Sequence, residues 1–142
     1  MPTLVDSYGY RFGERQIVRL PVDSTSSAIR SGDFLTLATA GYYKRAAAGD
    51  TIYAIAVDSL DTAPTTDGLA FVLADVSNES LYEYPATTGT LTAGMSGLNC
   101  DAGGPRGLDV TAATDKAFYI ASVNVAAATA LVRLNRTAGG VV

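Results

Sequence analysis

The residue types that do chemistry are thinly supplied in this chain, and one is missing altogether: no histidine occurs in its 142 residues. Imidazole is the commonest general base and the commonest metal ligand, so Ser-His-Asp and Cys-His catalytic designs cannot be assembled from this sequence. A Ser-Lys pair would be an alternative, but neither Lys44 nor Lys116 stands at Ser-x-x-Lys spacing. Gly94-Met95-Ser96-Gly97 approaches a nucleophile elbow but has the wrong glycine spacing and no strong strand before it, so a flexible turn is expected. Glu79 and Glu83 form a carboxylate pair by spacing only, on a turn and a short strand where both are expected to face solvent. Asp58, Asp61 and Asp67 share one loop that lacks the alternating acids and closing glutamate of a calcium loop. The single Cys100 has neither a disulfide partner nor the Cys/His company that zinc requires, and it reads as a small buried filler. No phosphate-binding glycine motif occurs. The expectation is a protein with no catalytic residues, no cofactor and no metal: a binding protein and not an enzyme.

The elements that would position any site are strands. Arg15–Val22 is a β-branched run whose Pro21 predicts an edge strand or a strand end. Asp33–Thr39 and Tyr42–Arg45, joined through Ala40-Gly41, predict a hairpin. Thr51–Val57 is apolar on both faces and is expected in the centre of a sheet, as is Leu69–Val76. Leu81–Tyr84 is expected to stop at Pro85. Residues 86–107 are rich in Gly, Thr and Ala, with strand candidates only at Thr90–Thr92 and Leu98–Asp101, and glycines 94, 97, 103 and 104 marking reversals. Gly107–Val110 is short, and Thr111–Asp115 is one helical turn or a loop. Ala117–Val123 and Ala130–Arg136 predict a closing hairpin. Seven to nine short strands and no amphipathic helix give an all-β fold: one domain over residues 15–142, a β-sandwich or partly closed barrel.

Residues 1–14 differ. Ser7–Gly13 carries aromatics and glycines without strand length and reads as an extended N-terminal arm. Aromatic and arginine side chains are enriched in interface cores, which makes Tyr8, Tyr10, Arg11, Phe12 and Arg15 the candidate partner-binding residues. The alternative is that the arm folds back on its own domain. Charge is segregated along the chain: residues 1–45 carry +2, residues 46–105 carry −8 with no basic group, and residues 106–142 carry +2. Either the fold mixes these charges or the molecule is polar and suited to docking between protein surfaces. With a pI of about 4.6 and no basic run, nucleic acid is not an expected partner. No apolar run is long enough to span a membrane, and Met1–Asp6 lacks the features of a secretion signal, so synthesis in a cytoplasm is expected. The glycosylation-like triplets at Asn78 and Asn135 are then incidental.

Leu20-Pro21-Val22, Ser31–Leu37, Gly41–Ala46 and Ile55-Ala56-Val57, followed by Cys100–Gly104, Gly107–Thr111 and Leu131–Asn135, resemble small capsid decoration (cement) proteins of tailed bacteriophages. The likeness covers residues 15–136 and rests on turn glycines and β-branched runs. It implies a β-rich homo-oligomer, a dimer or trimer, on the outer surface of a virion, bridging subunits of the major capsid protein. It carries no catalytic residues. A sugar- or receptor-binding module of a phage fibre is the rival reading, for which eight tyrosines could serve as stacking surfaces.

Overall fold

The computed structural model describes residues 9–38 and 41–135. Eleven strands run in chain order: β1 (Gly9–Phe12), β2 (Ile17–Pro21), β3 (Phe34–Leu37), β4 (Tyr43–Arg45), β5 (Ala54–Ala56), β6 (Phe71–Asp75), β7 (Leu81–Thr88), β8 (Asn99–Ala102), β9 (Leu108–Asp109), β10 (Phe118–Asn124) and β11 (Thr129–Leu134). The only helical element among the described residues is a single 3-10 turn at Ala93–Met95. The fold is all-β, as expected.

Two sheets divide the strands. In the first, the order β7-β11-β10-β8-β9 closes on itself through a parallel pairing of β9 with β7, giving a five-stranded barrel, with β1 added beside β7. The second runs β2-β6-β5-β3-β4, and a bridge between Val22 and Tyr43 brings its two outer strands together at one end. Each sheet has its own core. Phe34, Ile55, Tyr82, Tyr84, Phe118 and Ile120 belong to one cluster, and Leu20, Val22, Leu35, Ala54, Val72 and Ala74 to the other. β3 and β5 form the wall between them, because alternate side chains of a strand point to opposite faces. Phe34 and Ile55 enter the barrel-side core, while Leu35, Ala54 and Ala56 enter the second. A strand apolar on both faces is therefore buried on both, as the sequence of β5 demands. At the centre Phe34 packs its ring against Phe118 at 4.6 Å and Tyr84 at 4.7 Å between centroids.

Both predicted hairpins form, β3 with β4 and β10 with β11. β2 pairs only with β6 along its length, so Pro21 does lie on an outer strand. Two details differ from the sequence expectations, and two more show how an expected loop and an expected reversal are held. β7 runs through Pro85 to Thr88. The proline falls where β1 pairing ends at Glu83 and β9 pairing starts at Ala86, a place where that edge of β7 has no partner needing its missing N–H. Thr90–Thr92 is no strand: Leu91 is buried and the chain turns into the 3-10 element. Thr111–Asp115 is a turn and loop, held by Asp101, whose carboxylate accepts the N–H groups of Thr114, Asp115 and Lys116 at 2.9–3.1 Å. Gly103 serves by its size and not by a left-handed backbone, since a Cβ there would lie 2.3 Å from Thr87 Oγ1.

Candidate partner-binding surface

The N-terminal segment is extended but not free. β1 pairs antiparallel with β7, Tyr10 opposite Tyr82 and Phe12 opposite Leu81, so residues 9–12 follow the alternative of an arm folded back on its own domain. Gly13 makes the return possible. Its φ is +105°, and a Cβ there would sit 2.3 Å from the Glu79 carbonyl oxygen, so only glycine fits.

Three of the candidate residues, Tyr10, Arg11 and Arg15, find partners inside the molecule. The Tyr10 hydroxyl donates to the Gly13 carbonyl at 2.7 Å, and its ring meets Tyr82 edge-on at 5.6 Å. Arg15 lies over the same ring, 4.2 Å from its centroid. Arg11 donates to Glu83 at 2.8 Å, and the second oxygen of Glu83 accepts from the Thr129 hydroxyl. Tyr10, Arg11 and Arg15 thus form the clasp that holds β1 to the barrel. Tyr8 lies outside the described residues.

Beneath the clasp sits Asp75, fully buried. Its Oδ1 accepts the N–H groups of Gln16 at 3.0 Å and Ser77 at 2.9 Å, and its Oδ2 accepts the Tyr82 hydroxyl at 2.8 Å. Burial works to raise its pKa, but these bonds, with one from Ser80, outweigh it and hold the carboxyl below the ordinary range. Tyr82 shifts the opposite way, raised by burial and by the adjacent Asp75 charge. A second buried carboxylate, Asp33, accepts the Arg30 N–H at 2.8 Å and faces Arg106 at 2.7 Å and Arg45 at 3.1 Å. Arg106 also donates to the Ser31 carbonyl. Arg106 precedes β9 and Arg45 ends β4, so Asp33 ties the barrel to the second sheet.

The remaining sequence candidates are occupied in similar ways. Asp58 accepts the Leu73 N–H and Asp67 the Ser24 N–H, so these loop acids act as backbone caps. Among the described residues no cluster of three Asp, Glu or Cys side chains could hold a metal ion. Glu83 is committed to Arg11 and Thr129, which separates it from Glu79. Cys100 is buried in the barrel, where burial, with Asp101 and Asp109 nearby, pushes its thiol up to about 12. Ser96 is exposed at the end of the 3-10 turn, and among the described residues no side chain bonds its hydroxyl. The charge blocks of the sequence mix in space, for Arg11 and Arg15 from the basic start meet Glu83 and Asp75 of the acidic middle.

One surface escaped the sequence reading. Leu69–Val76 is central in strand order and Val72 and Ala74 enter the core, but on its other face the barrel covers only Asp75, while Phe71 and Leu73 stay 44% and 38% exposed. Ile17 on β2 and Leu69, 70% exposed, extend the same apolar area. A continuous apolar run gives no period-2 signal, so the exposed face was not legible. Of the described tyrosines, Tyr82 and Tyr84 are buried and Tyr10, Tyr42, Tyr43, Tyr53 and Tyr119 are half-buried. No family model, no curated protein and no solved structure matches the chain.

Proposed function

We propose that the protein is a structural binding protein, a decoration protein that lies on the outer surface of a phage head and bridges subunits of the major capsid protein. The observation that carries this reading is the use made of buried charge. Asp23, Asp33, Asp75 and Asp101 are all buried, and each accepts hydrogen bonds that hold its own backbone or side chains in place. Catalysis would call for an acid or base open to a substrate; these four carboxylates are internal struts. What the molecule offers to others is outer surface on a stiff, doubly cored β body. Support also comes from the sequence likeness over residues 15–136 and from the lack of histidine.

The reading makes the protein a mechanical staple that works by saturable binding to a repeating lattice. Mixing the purified protein with undecorated heads of its own phage tests it. Binding should saturate at a fixed copy number per head, and bound heads should release DNA at a higher temperature than bare ones. Heads that neither bind the protein nor gain heat resistance refute the reading.

A further inference from the structure

The arginines of this chain are used in different ways, and one is left with its donors unmet. Among the described residues, Arg11 bonds Glu83, and Arg106 bonds Asp33 and the Ser31 carbonyl. Arg15, Arg19 and Arg133 lie over the rings of Tyr10, Phe71 and Tyr119. Arg45 has neither use. Its Nε lies 3.1 Å from Asp33 Oδ2 yet is buried without a hydrogen bond, so its N–H does not aim at the carboxylate and the attraction there is by charge alone. Its two terminal nitrogens bond no acceptor among the described residues. Arg30 is exposed and leaves its donors to solvent, whereas the Arg45 side chain is partly enclosed, 34% exposed. A buried donor without an acceptor calls for a bound group.

The charge at this spot is also unbalanced. Asp33 is wholly buried and carries one negative charge, with Arg106 on Oδ1 and Arg45 on Oδ2. Two guanidinium groups thus share one carboxylate and leave one positive charge over. The carboxylates nearest to them in sequence serve elsewhere: Asp50 accepts the Ala47 N–H, Asp58 the Leu73 N–H, and Asp109 the Thr111 N–H and hydroxyl. Asp33 itself is fixed by the Arg30 N–H of its own turn and by Arg106. We propose that Arg45, with Arg106 beside it, binds an oxyanion, either free phosphate or the carboxylate of a side chain presented by a partner. The planar fork of a guanidinium matches two oxygens of such a group. The terminal nitrogens of Arg45 donate to it, the spare positive charge is neutralised, and Asp33 holds both arginines from behind. This site is independent of the capsid reading, because it concerns the isolated chain.

The test follows the arginine side-chain N–H signals of the full chain by NMR. Inorganic phosphate, or glutarate as a carboxylate probe, replaces chloride at constant ionic strength. The Arg45 and Arg106 signals should shift along a saturating curve with a Kd on the order of 1 mM, which two charge-assisted hydrogen bonds at a partly open site can sustain. Tm should rise as the site fills. Tighter saturation by phosphate identifies the free ion as the ligand, and saturation by glutarate at equal or lower concentration identifies a carboxylate. Arg45→Lys keeps a positive charge beside Asp33, and with it the fold, which circular dichroism checks. It loses the fork, so Kd should rise at least about tenfold for either probe. Wild-type shifts that are absent, or that grow linearly with concentration and so report an adventitious ion only, overturn the proposal. So does a folded Arg45→Lys chain that binds like wild type. Failure here leaves the head-binding test unaffected, and the reverse holds.

Discussion

Asp75 gives the sharpest test of how the two sheets are held. Its carboxylate is fully buried and receives two backbone N–H groups on one oxygen and the Tyr82 hydroxyl on the other. In Asp75→Asn the amide oxygen can keep the two N–H donors, and the amide nitrogen can donate to Tyr82, whose hydroxyl turns to accept. The geometry survives and the charge is lost. Bonds to a charged group contribute about 1.5–3 kcal/mol against about 0.5–1.5 for neutral ones, so the three together lose about 3 kcal/mol. The Arg15 pair adds little, being 3.7 Å long with the guanidinium a third exposed. Asp75→Ala removes all acceptors and strands the Tyr82 hydroxyl, costing about 4 kcal/mol. At roughly 3 °C per kcal/mol for a chain of this length, Tm should fall about 9 °C and about 12 °C. Calorimetry at pH 7 reads both. The sign with pH follows from the lowered pKa: the carboxylate's contribution is complete above about pH 3.9, its unfolded value, and is lost as pH falls through the folded one. The wild type's lead over Asp75→Asn should therefore shrink below pH ~4. An alanine variant within 1 kcal/mol of wild type, or a lead that does not change with pH, refutes the reasoning.

Phe34→Ala should cost about 3–5 kcal/mol, because it empties the ring cluster on the wall between the two cores; chemical denaturation measures it. Gly13→Ala should cost about 2 kcal/mol or more, from the clash with the Glu79 carbonyl and the left-handed backbone, and amide exchange should show β1 losing protection before the barrel. Cys100 should react with a thiol reagent no faster than the protein unfolds. Since its folded pKa is raised to about 12, it favours the folded state fully below the unfolded value of about 8.5 and less as pH climbs from there towards 12, so Cys100→Ala should flatten the alkaline loss of stability.

The strands were legible where local pattern decides them. β5 carries apolar residues at every position and lies between two cores, and Pro21 marks an outer strand. Pro85 misled because a proline's missing N–H matters only where a partner would use it, and the change of partner from β1 to β9 is a tertiary fact. Barrel closure was hidden for the same reason: β9 is two residues long and closes the ring through a parallel pairing with β7. The fate of Ser7–Gly13 turned on one residue, since Gly13 lets the chain come against the Glu79 carbonyl and β1 dock.

The arginines and aromatics that composition marks as interface residues illustrate a more general confusion. Enrichment at interfaces reflects a capacity to cover apolar surface while keeping a polar end satisfied, and a folded-back strand needs the same capacity. Tyr10, Arg11 and Arg15 use it internally, against Tyr82, Glu83 and Asp75. Arg19, by contrast, stands on the open side of β2 over Phe71, with Leu73 opposite it. Side-chain type alone could not separate the two groups; strand partner and register could. On β2 and β6 the side chains left open are instead Ile17, Arg19, Phe71 and Leu73, at the margin of the wall on which the barrel packs.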